Sequence, residues 1–335
     1  MFRKIVITIA VFAIGSFFAN NSILAQGCSD AGFCTMGAMR PNQAYNKSSV
    51  LSLRSIELTQ YTGVADFQSE LKNHFYDYFL SYILDANFGI GNRFSFQIKL
   101  PYNFVFGTLA NTQGIGDISI ATTYSIIRAR KWFVNGTLGG KLPTGSANPS
   151  TTRTARDGTP TTLPLPMYYS PTLGTFDFVA GISVSNKNWL FATGMQWALQ
   201  SYGNSNEFLW GKWKNISPKD TIFTDVYPRA NKLQRGFDVM ARAERNFRFT
   251  NWNVYIGLLG IYRLTPDTFE NPAGRRIKAE GSTGLAATGL IGGGYRFNVH
   301  SSLKILVGRQ LVKRKFNPDG LSRLAVATIG YEYRF

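Results

Sequence analysis

Residues 331–335 read Tyr331-Glu332-Tyr333-Arg334-Phe335 and end a stretch in which apolar and polar side chains alternate with a period of two. Ala325, Ala327, Ile329, Tyr331, Tyr333 and Phe335 share one parity, and Glu332 and Arg334 share the other. Successive side chains of a strand point to opposite faces, so the aromatic face carries charge on its back. That pairing suits a wall with lipid outside and water inside, and it does not suit a strand of a soluble core.

The same alternation recurs upstream. Over residues 93–106, Phe94, Phe96, Ile98, Leu100, Tyr102, Phe104 and Phe106 oppose Arg93, Ser95, Gln97, Lys99, Pro101 and Asn103. Residues 75–90, 116–127, 132–142, 174–185, 189–200, 236–247, 252–264, 283–297 and 302–312 repeat it. A less regular first strand at 50–62 is placed by position, and with 322–335 the count is twelve. Short links at Gly89–Asn92, Arg128–Lys131, Asn186–Asn188, Phe249–Asn251 and Asn298–Ser301 alternate with longer ones at 63–74, 107–115, 143–173, 201–235, 265–282 and 313–321. Tight periplasmic turns and longer outer loops are the pattern of a membrane barrel, and Trp132, Trp189 and Trp252 would form its periplasmic girdle. The expected fold is therefore all-β, a transmembrane antiparallel up-and-down β-barrel of about 12 strands over residues 50–335.

The N-terminus agrees with export. Arg3 and Lys4 precede an apolar run from Ile5 to Phe18 and a small-residue site at Leu24-Ala25-Gln26, which reads as a signal peptide over 1–25. Residues 26–49 would then be a periplasmic segment or plug. They hold the only two cysteines, Cys28 and Cys34. A local disulfide, lipidation of Cys28, and a soft-metal set with Met36 and Met39 are the three readings of that pair. Charged residues are only 16% of the chain, against about 25% in soluble proteins. The net charge of +17 becomes +15 without Arg3 and Lys4. In an exported chain this excess points to lipopolysaccharide phosphates or anionic solutes, and away from nucleic acid. The expected location is the outer membrane of a Gram-negative bacterium.

The inward positions carry the candidate site. Lys99, Lys141, Arg242, Arg263, Arg296, Lys304 and Arg334 would face Asp77, Asp85, Asp117, Asp177, Asp238, Glu244 and Glu332 across the lumen. Such an interior is either a cross-paired support for the barrel or a conduction path whose basic groups favour anions. Part of the Thr- and Pro-rich loop 143–173, with Arg153, Arg156 and Asp157, is expected to fold inward as a constriction. The loop 201–235, with Phe208, Trp210, Lys212, Trp213 and Lys214, would cover the outer mouth or contact lipopolysaccharide. None of the glycine clusters has the strand–turn–helix context of a phosphate loop, and neither cofactor nor metal is expected. His300-Ser301-Ser302 lies in a periplasmic turn, and His74 near Asp66 and Asp77 is a lone histidine, so an enzyme is not expected.

Three stretches carry a family resemblance: Gly-Ile-Gly-Asp-Ile-Ser-Ile at 114–120, Gly-Gly-Lys-Leu-Pro-Thr-Gly at 139–145 and Leu-Gly-Thr-Phe-Asp-Phe at 173–178. In this order they resemble a family of outer-membrane barrels assigned to transport in the meta-pathway of phenol degradation, distantly like hydrocarbon and fatty-acid channels. The resemblance covers the middle third of the chain and implies a passive channel for a small aromatic solute, whereas the lumen charge favours an anionic one. The same glycines also have a structural reading, with Gly114 and Gly116 where loop enters strand and Pro143-Thr144-Gly145 breaking a strand. The terminal Tyr331, Tyr333 and Phe335 resemble the signal read by the barrel insertion machinery of outer-membrane proteins. A non-conducting structural or adhesion-type barrel that binds lipopolysaccharide or a protein partner is the alternative.

Overall fold

The computed structural model describes residues 51–68, 74–129, 131–199, 203–213, 216, 227, 229–319 and 324–335. The proposed signal peptide, the segment 26–49 and the Cys28–Cys34 pair lie outside the described residues, as do the side chains of Asp66 and His74.

Alternating segments become strands because, in hydrocarbon, each backbone donor and acceptor needs a partner within the protein. The first half of the wall is β1 (Ser52–Gln68), β2 (His74–Ile90), β3 (Phe94–Phe106), β4 (Asn111–Ile115), β5 (Ile118–Arg128) and β6 (Phe133–Leu142). A loop hairpin, β7 (Ser150–Thr154) with β8 (Pro160–Pro164), interrupts it. The wall resumes with β9 (Asp177–Ser185), β10 (Trp189–Ala198), β11 (Asp238–Arg248) and β12 (Trp252–Arg263). After a second hairpin, β13 (Thr268–Glu270) with β14 (Arg276–Lys278), it ends with β15 (Gly284–Arg296), β16 (Ser301–Val312) and β17 (Ala325–Arg334).

All wall neighbours are antiparallel and adjacent in sequence, and β17 returns to pair with β1, setting Tyr333 opposite Ile56. The sheet has thirteen segments, but β4 and β5 both pair with β3 and are two halves of one wall strand broken at Gly116-Asp117. The structure is thus a closed barrel of twelve strands. On its other flank β4 has no ladder partner among the described residues.

The parity is the expected one. Leu58, Tyr82, Ile120, Leu138, Ile182 and Ile329 stand exposed on the outside, while Asp85, Thr137, Asp177, Gln196, Arg242 and Glu332 are buried inside. Side chains set the turns. Asn186 Oδ1 accepts from the backbone N–H groups of Asn188 and Trp189, and Asn298 Oδ1 does the same for His300 and Ser301. Gly91 takes φ +55° in the β2–β3 turn, a conformation suited to glycine.

Two expected loops are corrected. The β1–β2 ladder runs on to Gln68 opposite His74, and β4 adds Asn111–Ile115 to the wall. The outer connections there are only 69–73 and 107–110, because residues assigned to 63–74 and 107–115 find ladder partners in neighbouring strands. The long outer loops are the remaining four: loop 3 (143–176), loop 4 (199–237), loop 5 (264–283) and loop 6 (313–324). The irregular first strand also has a cause. A bulge lies between Leu53 and Ser55, and inward positions higher in β1 are taken by buried Tyr61 and Ala65.

Candidate functional site

The three glycine-containing motifs converge on one point of the inner wall. Asp117, beside the strand break at Gly116, faces into the barrel with the parity of Ser119. It pairs with Lys141 Nζ at 2.9 Å, and Leu173 N–H donates to its Oδ2 at 3.1 Å. Thr172 Oγ1 donates to its other oxygen. Thr144 Oγ1 donates to the Gly116 carbonyl at 2.7 Å and accepts from Ile118 N–H at 3.2 Å. Asp177 closes the group: Lys141 Nζ lies 4.0 Å away, and Arg235 Nη1 donates to it at 3.0 Å. Loop 3 is therefore latched at both ends to the wall where the wall strand breaks.

A second ionic cluster joins the other loops to this latch. Arg235 of loop 4 also reaches Asp238 at 3.3 Å and Asp319 of loop 6 at 3.6 Å. Arg263, at the outer end of β12, meets Asp238 at 2.8 Å, Asp267 of loop 5 at 2.5 Å and Asp319 at 3.1 Å. Burial alone would lower the Arg235 guanidinium, but Asp177, Asp319 and Asp238 outweigh it and hold it above its ordinary value. Burial, followed by the Asp319 charge, holds the Asp267 carboxyl above its ordinary value against the pull of Arg263. Arg314 of loop 6 is held below its ordinary value by burial and by Arg263.

Aromatic packing joins loops 3 and 4 to the outer end of the wall. Leu163, Leu165, Tyr168 and Tyr169 of loop 3 and Phe208, Trp213, Ile216 and Tyr227 of loop 4 pack against Ala65, Phe79, Val105 and Leu109. Within this cluster, Tyr169 and Tyr227 donate to Asp77 Oδ1 at 3.0 and 3.2 Å, and Trp213 Nε1 donates to the Pro164 carbonyl at 3.1 Å. Burial and the adjacent Asp77 raise both phenols well above the ordinary tyrosine range, so they remain neutral donors.

Below the mouth the lumen has two unlike faces. One row of hydrogen-bonded neighbours runs Glu332, Glu57, Asp85, Lys99, Ser119, Lys141, Asp177. It starts near the periplasmic end of β1 and reaches the outer end of β9, because barrel strands are staggered as well as tilted. Lys304 pairs with Glu57 at 2.5 Å and Glu332 at 3.2 Å, and Lys99 with Asp85 at 3.6 Å. The opposite face, on β9–β12, β15 and β16, is an apolar cluster of Val179, Ala192, Met240, Tyr255, Leu259, Ile261, Leu290 and Leu306. The faces meet at a small cavity of about 20 Å³ lined by Gln97, Lys99, Ser119, Thr137, Lys141 and Val179.

The residues expected from sequence fall into distinct places. Lys99, Lys141, Lys304, Asp117 and Asp177 belong to the charged row or its latch, and Arg263 anchors the mouth. Arg242 and Glu244 pair with each other two residues apart on β11. Arg296 sits at the periplasmic rim, where its Nη2 donates to the Thr250 carbonyl at 3.0 Å. In loop 3, residues 163–173 pack into the mouth. Arg153 and Arg156 brace the hairpin on the carbonyls of Leu109 (2.5 Å) and Ile216 (3.3 Å), and Asp157 is exposed at the tip beside Thr159. Tyr331, Tyr333 and Phe335 are exposed on the outer face. His300 Nδ1 lies 2.8 Å from the Arg334 carbonyl, at the periplasmic end.

Loop residues Arg235, Asp267, Arg314 and Asp319, and the apolar inner face, were not expected. Arg235 and Asp319 lie outside any periodic stretch, so nothing in the pattern marks them. The apolar face was hidden because Leu258-Leu259 and Ile305-Leu306 put apolar side chains on both sides of the wall.

The closed ring, its apolar exterior and its charged interior define a transmembrane β-barrel of the Gram-negative outer membrane. No protein-family model and no curated protein matches the sequence. Among solved structures, an outer membrane channel from Pseudomonas putida F1 is similar over 88% of this chain and all of that one, with a TM-score of 0.55 and 13% identity. The translocator domain of the autotransporter NalP from Neisseria meningitidis gives a TM-score of 0.47 at 11% identity, covering 90% of this chain and 93% of that one. The Pseudomonas putida toluene transporter TodX gives 0.37 at 9% identity, covering 90% and 91%. The expected likeness to outer-membrane channels is present in the fold.

Proposed function

We propose that this protein is an outer-membrane channel for passive movement of a small anionic or aromatic solute, with its outer mouth closed by loops 3–6. The observation that carries this reading is the two-faced lumen. A row of ionic side chains offers polar waypoints, and the facing apolar wall offers contact for a hydrophobic body. Ion pairs hold the loops over this lumen, and ion pairs can be exchanged without unfolding the barrel. The fold of the solved outer membrane channel is consistent with this role.

Purified protein in a planar bilayer under a salt gradient tests the reading. The expected result is discrete conductance steps with a reversal potential on the anion side. Lys99→Glu, which leaves the mouth untouched, should move that potential toward cations. Absence of steps in both the wild-type protein and a variant with an unlatched mouth would refute conduction.

The second reading, a non-conducting barrel that presents its loops to lipopolysaccharide or a protein, is favoured by the aromatic filling of the mouth. Recognition of the terminal Tyr331, Tyr333 and Phe335 by the insertion machinery is part of either reading.

A further inference from the structure

The lipid-facing wall has a hollow that neither the lumen nor the mouth uses. At the outward positions of β5, β6, β9 and β10, Thr122, Gly136, Ala180 and Thr193 are small, and bulkier Tyr124, Leu138, Ile182 and Met195 stand among them. The result is an open apolar groove of about 870 Å³. It crosses the strands along one row of directly opposed residues. Tyr124 lies opposite Gly136, Gly136 opposite Ile182, and Ile182 opposite Thr193, while Phe237 and Val239 mark the outer end.

A cation stands at the lower end. Arg93, in the β2–β3 turn, donates from Nη1 to the Tyr124 hydroxyl at 3.2 Å, and the Tyr124 ring lies 4.7 Å from that of Phe94. Arg93 is exposed and makes no ion pair among the described residues. Exposed Lys131 and Lys187 occupy neighbouring periplasmic turns, and Arg245 lies over the Trp189 ring at 4.9 Å. The periplasmic turns on this side of the barrel are thus basic at the depth where Trp132 and Trp189 mark the interface, and Arg93 is the one that reaches a lining residue of the groove.

We propose that this groove binds an anionic phospholipid of the periplasmic leaflet, with the phosphate at Arg93 and one acyl chain lying over Gly136 and Thr193. Charge complementarity selects this occupant. The groove opens only toward acyl chains, and its polar handle is a guanidinium at headgroup depth, where each basic group attracts anionic lipid. The proposal stands on the fold and does not depend on conduction.

Native mass spectrometry of the full chain, released from micelles containing equal phosphatidylglycerol and phosphatidylcholine, tests it. The wild-type protein should retain one phosphatidylglycerol in preference. Arg93→Gln should lower that retention about five-fold. Thr193→Trp, which fills the groove, should lower retention of both lipids. Arg275→Gln, an exposed loop arginine on the outer side, should change nothing. Heat-modifiable migration confirms that each variant is folded. Equal retention of the two lipids by the wild-type protein would overturn the proposal. So would unchanged retention in Arg93→Gln, or a loss that Arg275→Gln reproduces.

Discussion

Arg263→Met should open the outer mouth. The guanidinium is fully buried and bridges Asp238 of β11, Asp267 of loop 5 and Asp319 of loop 6. Removing one partner of a buried ionic group costs about 3–5 kcal/mol, because the remaining charges stay desolvated. Here three carboxylates would share Arg235 and Arg314, and Arg235 already serves Asp177. The cheaper outcome is release of loops 5 and 6 into water, with the wall strands intact. Single-channel recording should then show a larger or longer-lived conductance than in the wild-type protein, while heat-modifiable migration still reports a folded barrel. Arg263→Lys should restore closure only in part, since one ammonium cannot span three carboxylates in fork geometry. A conductance identical to the wild type in Arg263→Met would remove the latch from the account.

Trp213→Ala should have an effect of similar size by a different route. The indole is fully buried in the aromatic cluster of the mouth and donates to the Pro164 carbonyl. Truncating a buried tryptophan costs about 3–5 kcal/mol through lost burial and the cavity left behind. Loop 4 should then part from loop 3, and limited proteolysis within 203–235 should become fast while the wall resists. Trp197 is the control. It faces lipid at 53% exposure, so Trp197→Ala should leave proteolysis of the mouth unchanged. Equal protection of loop 4 in both variants would argue against the aromatic cluster as a closure.

The wall was legible in the sequence because a strand between lipid and water must alternate, and its alternation survives in Phe94–Phe106 and in Ala325–Arg334. Two of the three motifs were legible as places where loop meets strand, at Gly114 and Gly116 and at Pro143-Thr144-Gly145. Their meeting point was not, since Asp117, Lys141 and Thr172 come together only once the strands are in register. The mouth was least legible. Loop residues such as Arg235 and Asp319 obey no period, and the contacts that tie Arg235 to Asp177 and Asp319, and Asp319 to Arg263, join residues far apart in sequence. The apolar inner face was missed for a different reason. Simple alternation treats an inward leucine as noise, whereas Leu259, Leu290 and Leu306 are inward on three consecutive wall strands and pack together.

The half-paired β4 also sets how deep the molecule can sink. Among the described residues its five residues have ladder partners on β3 alone, so the amide and carbonyl groups of the other flank have no strand beside them in the wall. Hydrocarbon does not tolerate such groups, because each costs several kcal/mol. The acyl region of the outer leaflet must therefore stop at or below the Gly116-Asp117 break on this side. Tyr102 and Phe106 on the adjoining β3, both exposed, would then lie among headgroups. A backbone irregularity in one strand thereby acts as a waterline for the whole cylinder.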